Sequence, residues 1–355
     1  MEGLMVETRI VDSLADLDAL GPSWRALEET QPDLPFSCTF DYVAAWARAR
    51  HGTTELAVVV AEDHGQLIGT LPLGITTRRK GPVSVMELAF LAEGDRRDAV
   101  LDARRVSPGT TIKALLSASL ALGVKARRIS LRYLPAHSPL THHLLRSSEH
   151  NAQVRPLVEL PLIELARHPG FTQYRRTIPR SAITSANKMR RELGMRLEVH
   201  SPVSESLFDE LVAQHRRQQQ VLIERHGRHE RRSLFDDPVR KRAYRTITVG
   251  NPSALAFVAR TSAGELLFHE LAWRRGGTVT AWNTAYNPDF AHHRPSRARL
   301  DAIEWLYADG DVRVFDLGAG RYPWKFELTP SFELAYDFSA WRGDDALGRL
   351  LRKLR

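Results

Sequence analysis

The sequence predicts an α+β fold, layered as α/β, in which two similar domains follow one another along the chain. The chain has 355 residues, more than one typical core holds. The order strand, strand, helix, strand occurs twice. Between the two copies, the segment 157–170 (LVELPLIELARHPG) is punctuated by two prolines and a glycine. We therefore expect domains over 1–160 and 161–355, each with a mixed central sheet flanked by helices.

The first two strands of the repeat align closely. Residues 56–73 (LAVVVAEDHGQLIGTLPL) match residues 255–272 (LAFVARTSAGELLFHELA) without a gap, and the alignment places Gly65 over Gly264. Each copy has an apolar run, a glycine-containing turn and a second apolar run. This pattern predicts two strands joined by a tight turn.

A helix follows the paired strands in both copies. Residues 107–123 (SPGTTIKALLSASLALG) align with residues 294–310 (RPSRARLDAIEWLYADG), and each segment has proline at its second position and glycine at its last. Proline favours the start of a helix and glycine its end. Apolar strands then follow at 128–134 and 312–317, which completes the repeated order.

The two copies differ at positions where chemistry is expected. His269 and Glu270 stand where the first copy has Thr70 and Leu71. Because side chains alternate along a strand, His269 and Glu270 are expected on opposite faces of the sheet. A partly buried carboxylate or imidazole can accept a proton near neutral pH. Glu270 is the first candidate for a catalytic base and His269 the second; the alternative for each is a hydrogen-bonded structural role.

The loop that leads into the second-copy helix is the expected anion site. The start of a helix offers unpaired N–H groups and the positive end of the helix dipole, which suit a pyrophosphate. Ser296 is the expected N-cap, and the guanidinium groups of Arg294 and Arg297 can reach phosphate oxygens. This copy also has Arg299 where the first has Ile112. The candidate cofactor-binding residues are Arg294, Pro295, Ser296, Arg297 and Ala298; an ordinary capped surface helix is the alternative.

Two further segments, 92–102 and 318–328, are candidates for binding a substrate. The first places two aspartates around two arginines, which suits a cationic or hydroxylated group, and its alternative is a self-paired exposed turn. The second leaves an apolar strand on two glycines and then gathers charged and aromatic side chains, and its alternative is a packed hairpin turn. The candidate residues are Asp95, Asp98, Arg321, Tyr322 and Trp324.

The composition limits the possible partners and compartment. The net charge of +8, from 50 Lys and Arg against 42 Asp and Glu, favours an anionic partner, either cofactor phosphates or RNA. The single cysteine, Cys38, excludes an intrachain disulfide, and in the absence of a zinc-binding pattern we expect no metal. We find no signal peptide and no membrane-spanning run, so we expect a cytoplasmic protein without membrane insertion.

Five motifs together resemble a known family. The chain resembles the GNAT-type acyltransferases labelled CelD/BcsL-like and, more distantly, the FemABX peptidyltransferases, which carry two GNAT-like units in tandem. The resemblance extends from about Trp24 to Trp324. The motifs are PFSCTFDYVAAW (35–46), GDRRDAVLD (94–102), NKMRREL (187–193), AYNPDFAHHRPSRARLDAIEW (285–305) and FDLGAGRYPWKFEL (315–328).

The resemblance implies roles for two of these segments. It implies that the loop around Pro295 and Ser296 receives the diphosphate of acyl-CoA. It also implies that Lys325 binds an anion or stabilises the tetrahedral oxyanion, with Tyr322 shaping the acceptor pocket. The sequence departs from the family pattern in two places: Ser296 stands where a glycine is usual, and Trp324 where a tyrosine is usual.

The expected function is N-acyl transfer, with acetyl-CoA or another acyl-CoA as co-substrate and an amine of a small molecule or sugar as acceptor. The second domain binds acyl-CoA and holds the catalytic groups, and the first builds the acceptor side. Glu270 or His269 takes the proton from the amine, and Tyr286 donates a proton to the leaving thiolate; the alternative for Tyr286 is a packing role. One alternative is aminoacyl transfer from charged tRNA, with the basic segment 174–193 touching RNA. Another is a non-catalytic tandem-GNAT binding scaffold.

Overall fold

The computed structural model describes residues 6–80, 83–102, 104, 108–122, 126–227 and 232–341. The chain divides into two units. The first comprises Met1–Glu159 with Glu333–Arg355, and the second comprises Leu160–Phe332. Gly123, the predicted end of the first-copy helix, lies outside the described residues.

The first unit contains a mixed sheet flanked by helices. Its helices are α1 (Leu14–Glu28), α2 (Phe40–Ala49), α3 (Pro108–Ala121) and α4 (Pro139–Arg146). Its strands are β1 (Val6–Val11), β2 (Glu55–Asp63), β3 (Gln66–Lys80), β4 (Val83–Phe90), β5 (Val100–Leu101), β6 (Arg128–Pro135) and β13 (Phe332–Trp341). The order is β1-β2-β3-β4-β6-β13, with β5 paired to β3. The β4–β6 pair is parallel and the other neighbours on this path are antiparallel.

The second unit has the same plan. Strand β7 (Val154–Glu164) crosses the boundary between the units, and the other strands are β8 (Arg196–His200), β9 (Ala254–Arg260), β10 (Leu266–Arg275), β11 (Thr278–Tyr286) and β12 (Val314–Asp316). Its helices are α5 (Phe171–Arg175), α6 (Arg180–Leu193), α7 (Glu205–His226), α8 (Pro238–Thr248), α9 (Arg299–Asp309) and α10 (Pro323–Phe326). The order is β7-β12-β11-β10-β9-β8, and only the β11–β12 pair is parallel.

The repeated order of strands and helix is therefore present in both units, and the predicted fold class is confirmed. The β2–β3 and β9–β10 hairpins turn at Gly65 and Gly264, whose φ angles of +73° and +85° favour glycine. In each unit a helix, α3 or α9, then connects two parallel strands. The apolar stripe of α9 is buried in the core of the second unit, through Leu300, Ile303 and Leu306.

The C-terminal strand differs from the expected domain division. We expected everything after residue 160 to belong to the second domain. Instead β13 pairs with β6 from Ala335 opposite Pro135 to Trp341 opposite Arg128, and Phe338 joins the apolar core of the first unit. The last described strand thus completes the first unit, and the second unit lies between two parts of the first in sequence.

Candidate active site

Two parallel strands of the second unit separate shortly after they meet. Strands β11 and β12 pair only from Thr278 with Val314 to Thr280 with Asp316. The register between β10 and β11 then shifts, which leaves Trp282 as an extra residue in β11, a β-bulge that bends the strand. Residues 281–286 therefore continue beyond the last pair with β12. Ligands of open α/β sheets bind in such crevices at the carboxyl ends of parallel strands.

The chain between β11 and α9 forms two consecutive 3₁₀ turns. They span Pro288–His293 and Pro295–Ala298, and Arg294 between them has a left-handed backbone with φ of +56°. The α-helix begins only at Arg299, after Ala298, and no side chain caps it. The expected capping role of Ser296 is therefore wrong, because Ser296 lies inside the 3₁₀ turn and not at the helix boundary.

The two arginines expected to bind phosphate have different surroundings. Arg294 is exposed and has no ion pair with any described residue. Arg297 is largely buried and its Nη1 lies 2.5 Å from Oε2 of Glu327, just after α10. Arg297 thus connects the turn Pro295–Ala298, which we call the helix-start turn, to the segment after β12, while Arg294 faces solvent.

Glu270 forms a buried ion pair that the sequence analysis did not predict. Its two carboxylate oxygens lie 2.9 and 2.8 Å from Nε of Arg299, and the two residues are only 2% and 3% exposed. Nη2 of Arg299 donates to Thr284 Oγ1 at 3.3 Å. The guanidinium also stacks on the ring of Trp324, 3.9 Å from its centroid. The only sequence signal for Arg299 was its alignment with an isoleucine in the first copy.

A small cleft opens beside this ion pair. It is lined by Ser296, Arg297, Arg299, Leu300, Trp324 and Leu328. Among the described residues, none accepts a hydrogen bond from Nη1 of Arg299. The structure therefore brings together Ser296 and Arg297 of the helix-start turn, Trp324, and the Arg299 partner of Glu270.

His269 lies on the other face of the sheet, as strand alternation predicted. It is fully buried, with Nδ1 2.5 Å from Oε1 of Gln214 on α7 and Nε2 3.2 Å from Oδ1 of Asn283. Burial lowers the pKa of His269 to about 3. The neutral ring donates one hydrogen bond only, to Gln214, whose amide nitrogen is held by the Leu266 carbonyl at 3.1 Å. The amide group of Asn283 must then turn its N–H towards Nε2.

The polar cluster around His269 continues along α7. Nδ1 of His215 lies 2.8 Å from Ser233 Oγ, and burial lowers the pKa of His215 to about 4. Gln218 accepts a hydrogen bond from the backbone N–H of Tyr286 at 3.0 Å. Tyr286 itself is half-buried at the end of β11 and contacts a small apolar cluster. The α7 glutamines could not be predicted, since no spacing pattern distinguishes them from solvent-facing residues.

Lys325 differs from its expected role. Its ammonium is buried and donates to the carbonyl oxygens of Gly318 at 2.7 Å and Ala319 at 2.8 Å. The turn it holds contains Gly318 and Gly320, with φ of +73° and +112°. Lys325 thus fixes the chain that leaves β12, and in this conformation its ammonium is directed to backbone carbonyls. Arg321 and Tyr322, on the same turn, are exposed.

The two aspartates proposed for the acceptor lie in the first unit. Asp98 is buried, and its Oδ1 accepts hydrogen bonds from Ser138 Oγ at 2.9 Å and from Ala99 N at 2.8 Å. Burial raises the pKa of Asp98 to about 7. Asp95 is half-buried in the same loop. In this arrangement Asp98 stabilises the local structure of its loop.

Metal-binding clusters and membrane-spanning helices are both absent from the described residues. No group of three or more His, Cys, Asp or Glu side chains among them is arranged to hold a metal ion. Across the same ranges, no helix combines the length and apolar character needed to span a membrane.

Comparison with known proteins identifies the fold. The sequence profile of the acetyltransferase (GNAT) domain matches residues 175–326, somewhat less than half of the chain. No curated protein matches the chain significantly. Among solved structures, FemX is similar at 11% identity, with 98% of this chain and 99% of FemX covered and a TM-score of 0.62.

Two further structures are similar over nearly their whole length. A tandem GNAT protein from the clavulanic acid biosynthesis pathway has 14% identity, a TM-score of 0.55 and coverage of 96% of this chain and 100% of its own. L-PGS from Bacillus licheniformis has 15% identity, a TM-score of 0.53 and coverage of 93% and 96%. At these identities the likeness is one of fold. The chain therefore has a tandem GNAT fold, and its segment 175–326 matches a GNAT acetyltransferase domain.

Proposed function

We propose that the protein is an N-acyltransferase that moves an acyl group, with acetyl expected, from acyl-CoA to an amine of a small molecule or sugar. The observation that carries the proposal is the separation of β11 and β12 beside the turn Pro295–Ala298. We also propose that the protein is CelD/BcsL-like and acts in the cytoplasm.

The donor occupies the second unit in this proposal. The backbone N–H of Ser296 at the start of the turn Pro295–Ala298, together with exposed Arg294, binds the diphosphate. Arg297 holds the turn in place through Glu327, and Ser296 lines the cleft. The pantetheine arm follows the part of β11 that has no β12 beside it, where strand N–H groups can donate to amide and thioester oxygens.

The reaction forms a C–N bond and breaks the C–S bond. The free amine attacks the thioester carbonyl, the tetrahedral oxyanion collapses, and the thiolate leaves. The amine loses one proton and the thiolate gains one. Tyr286, at the end of β11, is the proposed proton donor to the thiolate. Glu270 remains the first candidate for the base and His269 the second. Glu270 accepts a proton only after it releases Arg299, and Lys325 acts by fixing the turn after β12.

Calorimetric titration with acetyl-CoA and with coenzyme A tests the donor site. We compare the wild type with the double variant Ser296→Asp, Arg297→Ala, which places negative charge beside the diphosphate. The matched control is Ser206→Asp, Arg225→Ala, which makes the same change on exposed α7 positions. Micromolar binding lost in the first variant and kept in the control supports the proposal. Absence of binding to the wild type contradicts acyl-CoA as donor.

One observation favours aminoacyl-tRNA as a second candidate donor. Arg175, Arg176 and Arg180, on α5 and at the start of α6, form no ion pair with any described residue. By contrast, Arg190 pairs with Asp301. If RNA binds here, changing Arg176 and Arg180 to Gln weakens salt-sensitive tRNA binding. Arg190→Gln instead breaks the ion pair with Asp301, so its effect is on the structure of the second unit. If the protein binds neither acyl-CoA nor charged tRNA, the third proposal remains, a non-catalytic binding scaffold.

A further inference from the structure

The first unit contains a groove that plays no part in the proposed reaction. It lies between α3 and the end of α4, and its volume is about 660 Å³. Small-molecule sites typically have volumes of roughly 300–1,000 Å³, so the groove is large enough for a ligand. Its lining combines apolar residues of α3 with polar residues from the end of α4 and the chain after it.

Four basic side chains converge on this groove. Lys113 comes from α3, His143 and Arg146 from the last turn of α4, and His150 from the segment that follows. Among the described residues, neither Lys113 nor Arg146 has an ion-pair partner. One acidic residue, Glu149, also lines the groove; its side chain is 80% exposed and lies 3.9 Å from Nε2 of His150. The groove therefore carries an excess of positive charge.

Packing fixes the position of one of these basic groups, His150, and partial burial surrounds a second, His143. His150 is buried and its ring packs edge-on against Phe338, with 5.7 Å between centroids. His143 is half-buried, and its pKa is lowered by burial and by the nearby charges of His150 and Lys113. Like charges brought together in this way repel one another, and a bound anion removes that repulsion. Two basic residues at the end of α4 also complement its dipole, but this does not account for Lys113, which comes from another helix.

We propose that this groove binds a small phosphorylated molecule through its phosphomonoester group. Lys113 and Arg146 supply charge-assisted hydrogen bonds to phosphate oxygens, and Ser147 and Ser148 line the same groove. The apolar floor, which includes Leu116 and Leu120, suits an organic group attached to the phosphate. The site lies wholly in the first unit and is independent of the acyl-transfer proposal.

Calorimetric titrations of the full chain with inorganic phosphate and with phenyl phosphate test the proposal. We expect both to bind, and phenyl phosphate to bind more tightly because its ring covers the apolar floor. The double variant Lys113→Gln, Arg146→Gln should weaken binding at least tenfold. Both side chains are exposed, so the variant is expected to fold. The control Arg155→Gln removes an exposed charge of the first unit outside the groove and should change affinity less than twofold.

The pH dependence provides a second readout. Sulfate keeps its two charges between pH 7 and pH 5, so any change in its affinity comes from the protein. The charged and titratable groups that line the groove with His143 are Lys113, Arg146, Glu149 and His150. Sulfate should bind more tightly as the pH falls, and His143→Gln should reduce that gain while the neighbouring exposed His142→Gln keeps it. No binding by the wild type, equal loss in the Arg155→Gln control, or pH-independent sulfate binding overturns the proposal.

Discussion

The buried ion pair of Glu270 and Arg299 makes the stability of the second unit sensitive to the substitution Glu270→Gln. Glu270→Gln keeps the shape of the side chain and removes its charge, so the guanidinium of Arg299 remains buried without a counter-charge. Removing one partner of a buried ion pair typically costs about 3–5 kcal/mol. The exposures of 2% and 3% and the contacts of 2.8 and 2.9 Å place this pair in that class.

The size of the effect can be measured by thermal unfolding. In a unit of 150–250 residues, each kcal/mol shifts the Tm by roughly 2–4 °C, so Glu270→Gln should lower the Tm of the second unit by about 6–20 °C. Hydrogen exchange of peptides from β10 and α9 assigns the loss to this unit. The matched control is Glu205→Gln, whose carboxylate is 66% exposed and pairs with Arg245. That change should cost less than about 1 kcal/mol.

A double-mutant cycle distinguishes the ion pair from general damage. Glu270→Leu alone leaves the guanidinium of Arg299 unpaired, Arg299→Met alone leaves the carboxylate of Glu270 unpaired, and each should be strongly destabilising. The variant with both Glu270→Leu and Arg299→Met replaces the pair by apolar groups of similar volume and should recover much of the loss. Equal Tm values for Glu270→Gln and Glu205→Gln, or additive losses in the double variant, would refute this reasoning.

Three further predictions follow from buried groups. The folded-state pKa values of His269, about 3, and Asp98, about 7, lie on opposite sides of their ordinary values. Acidification from pH 6.5 to 4 should therefore destabilise the second unit, because its unfolded chain binds a proton that the folded His269 does not. The same change should increase the contribution of Asp98 to the stability of the first unit, because the folded state binds the proton there. Hydrogen exchange measures the two units separately, and identical trends in both would contradict the assignment. Lys325→Met leaves two turn carbonyls without their donor, so amide exchange at 316–320 should accelerate at least tenfold, and unchanged rates would show that the turn is held otherwise. Gly320→Ala should cost about 1–3 kcal/mol in urea unfolding, because φ is +112° and a Cβ would lie 2.5 Å from the Tyr322 ring; Gly52→Ala, at φ +83° with open space around it, should cost less.

The repeated architecture could be predicted from the sequence because its signals are local. A glycine readily adopts the positive φ that a tight turn between strands requires, and Gly65 and Gly264 marked equivalent turns. Alternation along β10 likewise placed His269 and Glu270 on opposite faces. The return of β13 to β6 could not be predicted in this way, because an apolar run carries no information about which distant strand it pairs with.

The position of the candidate site along the chain could be predicted from the sequence, but the contacts of its side chains could not. The helix-start turn was placed correctly between β11 and α9, but the partners of its side chains depend on which elements meet in space. Glu270 pairs with Arg299, 29 positions away, and Lys325 bonds to carbonyls of its own turn. The cap expected at Ser296 failed because a 3₁₀ turn comes before the α-helix. Comparison of the copies was the one sequence signal for Arg299. It showed an arginine where the first copy has Ile112, but it did not show that the guanidinium pairs with Glu270.

The pairing of β13 with β6 has a consequence during protein synthesis. Ala335 lies opposite Pro135, so about 200 residues separate two neighbouring strands of one sheet. At roughly 5–20 residues per second, a ribosome needs about 10–40 s to make that stretch. For that time β6 has one edge without its final neighbour, and unpaired edges invite association with other chains. The first unit therefore cannot complete its sheet until the whole second unit has been synthesised, and a chaperone that shields a strand edge would act on the first unit during this interval.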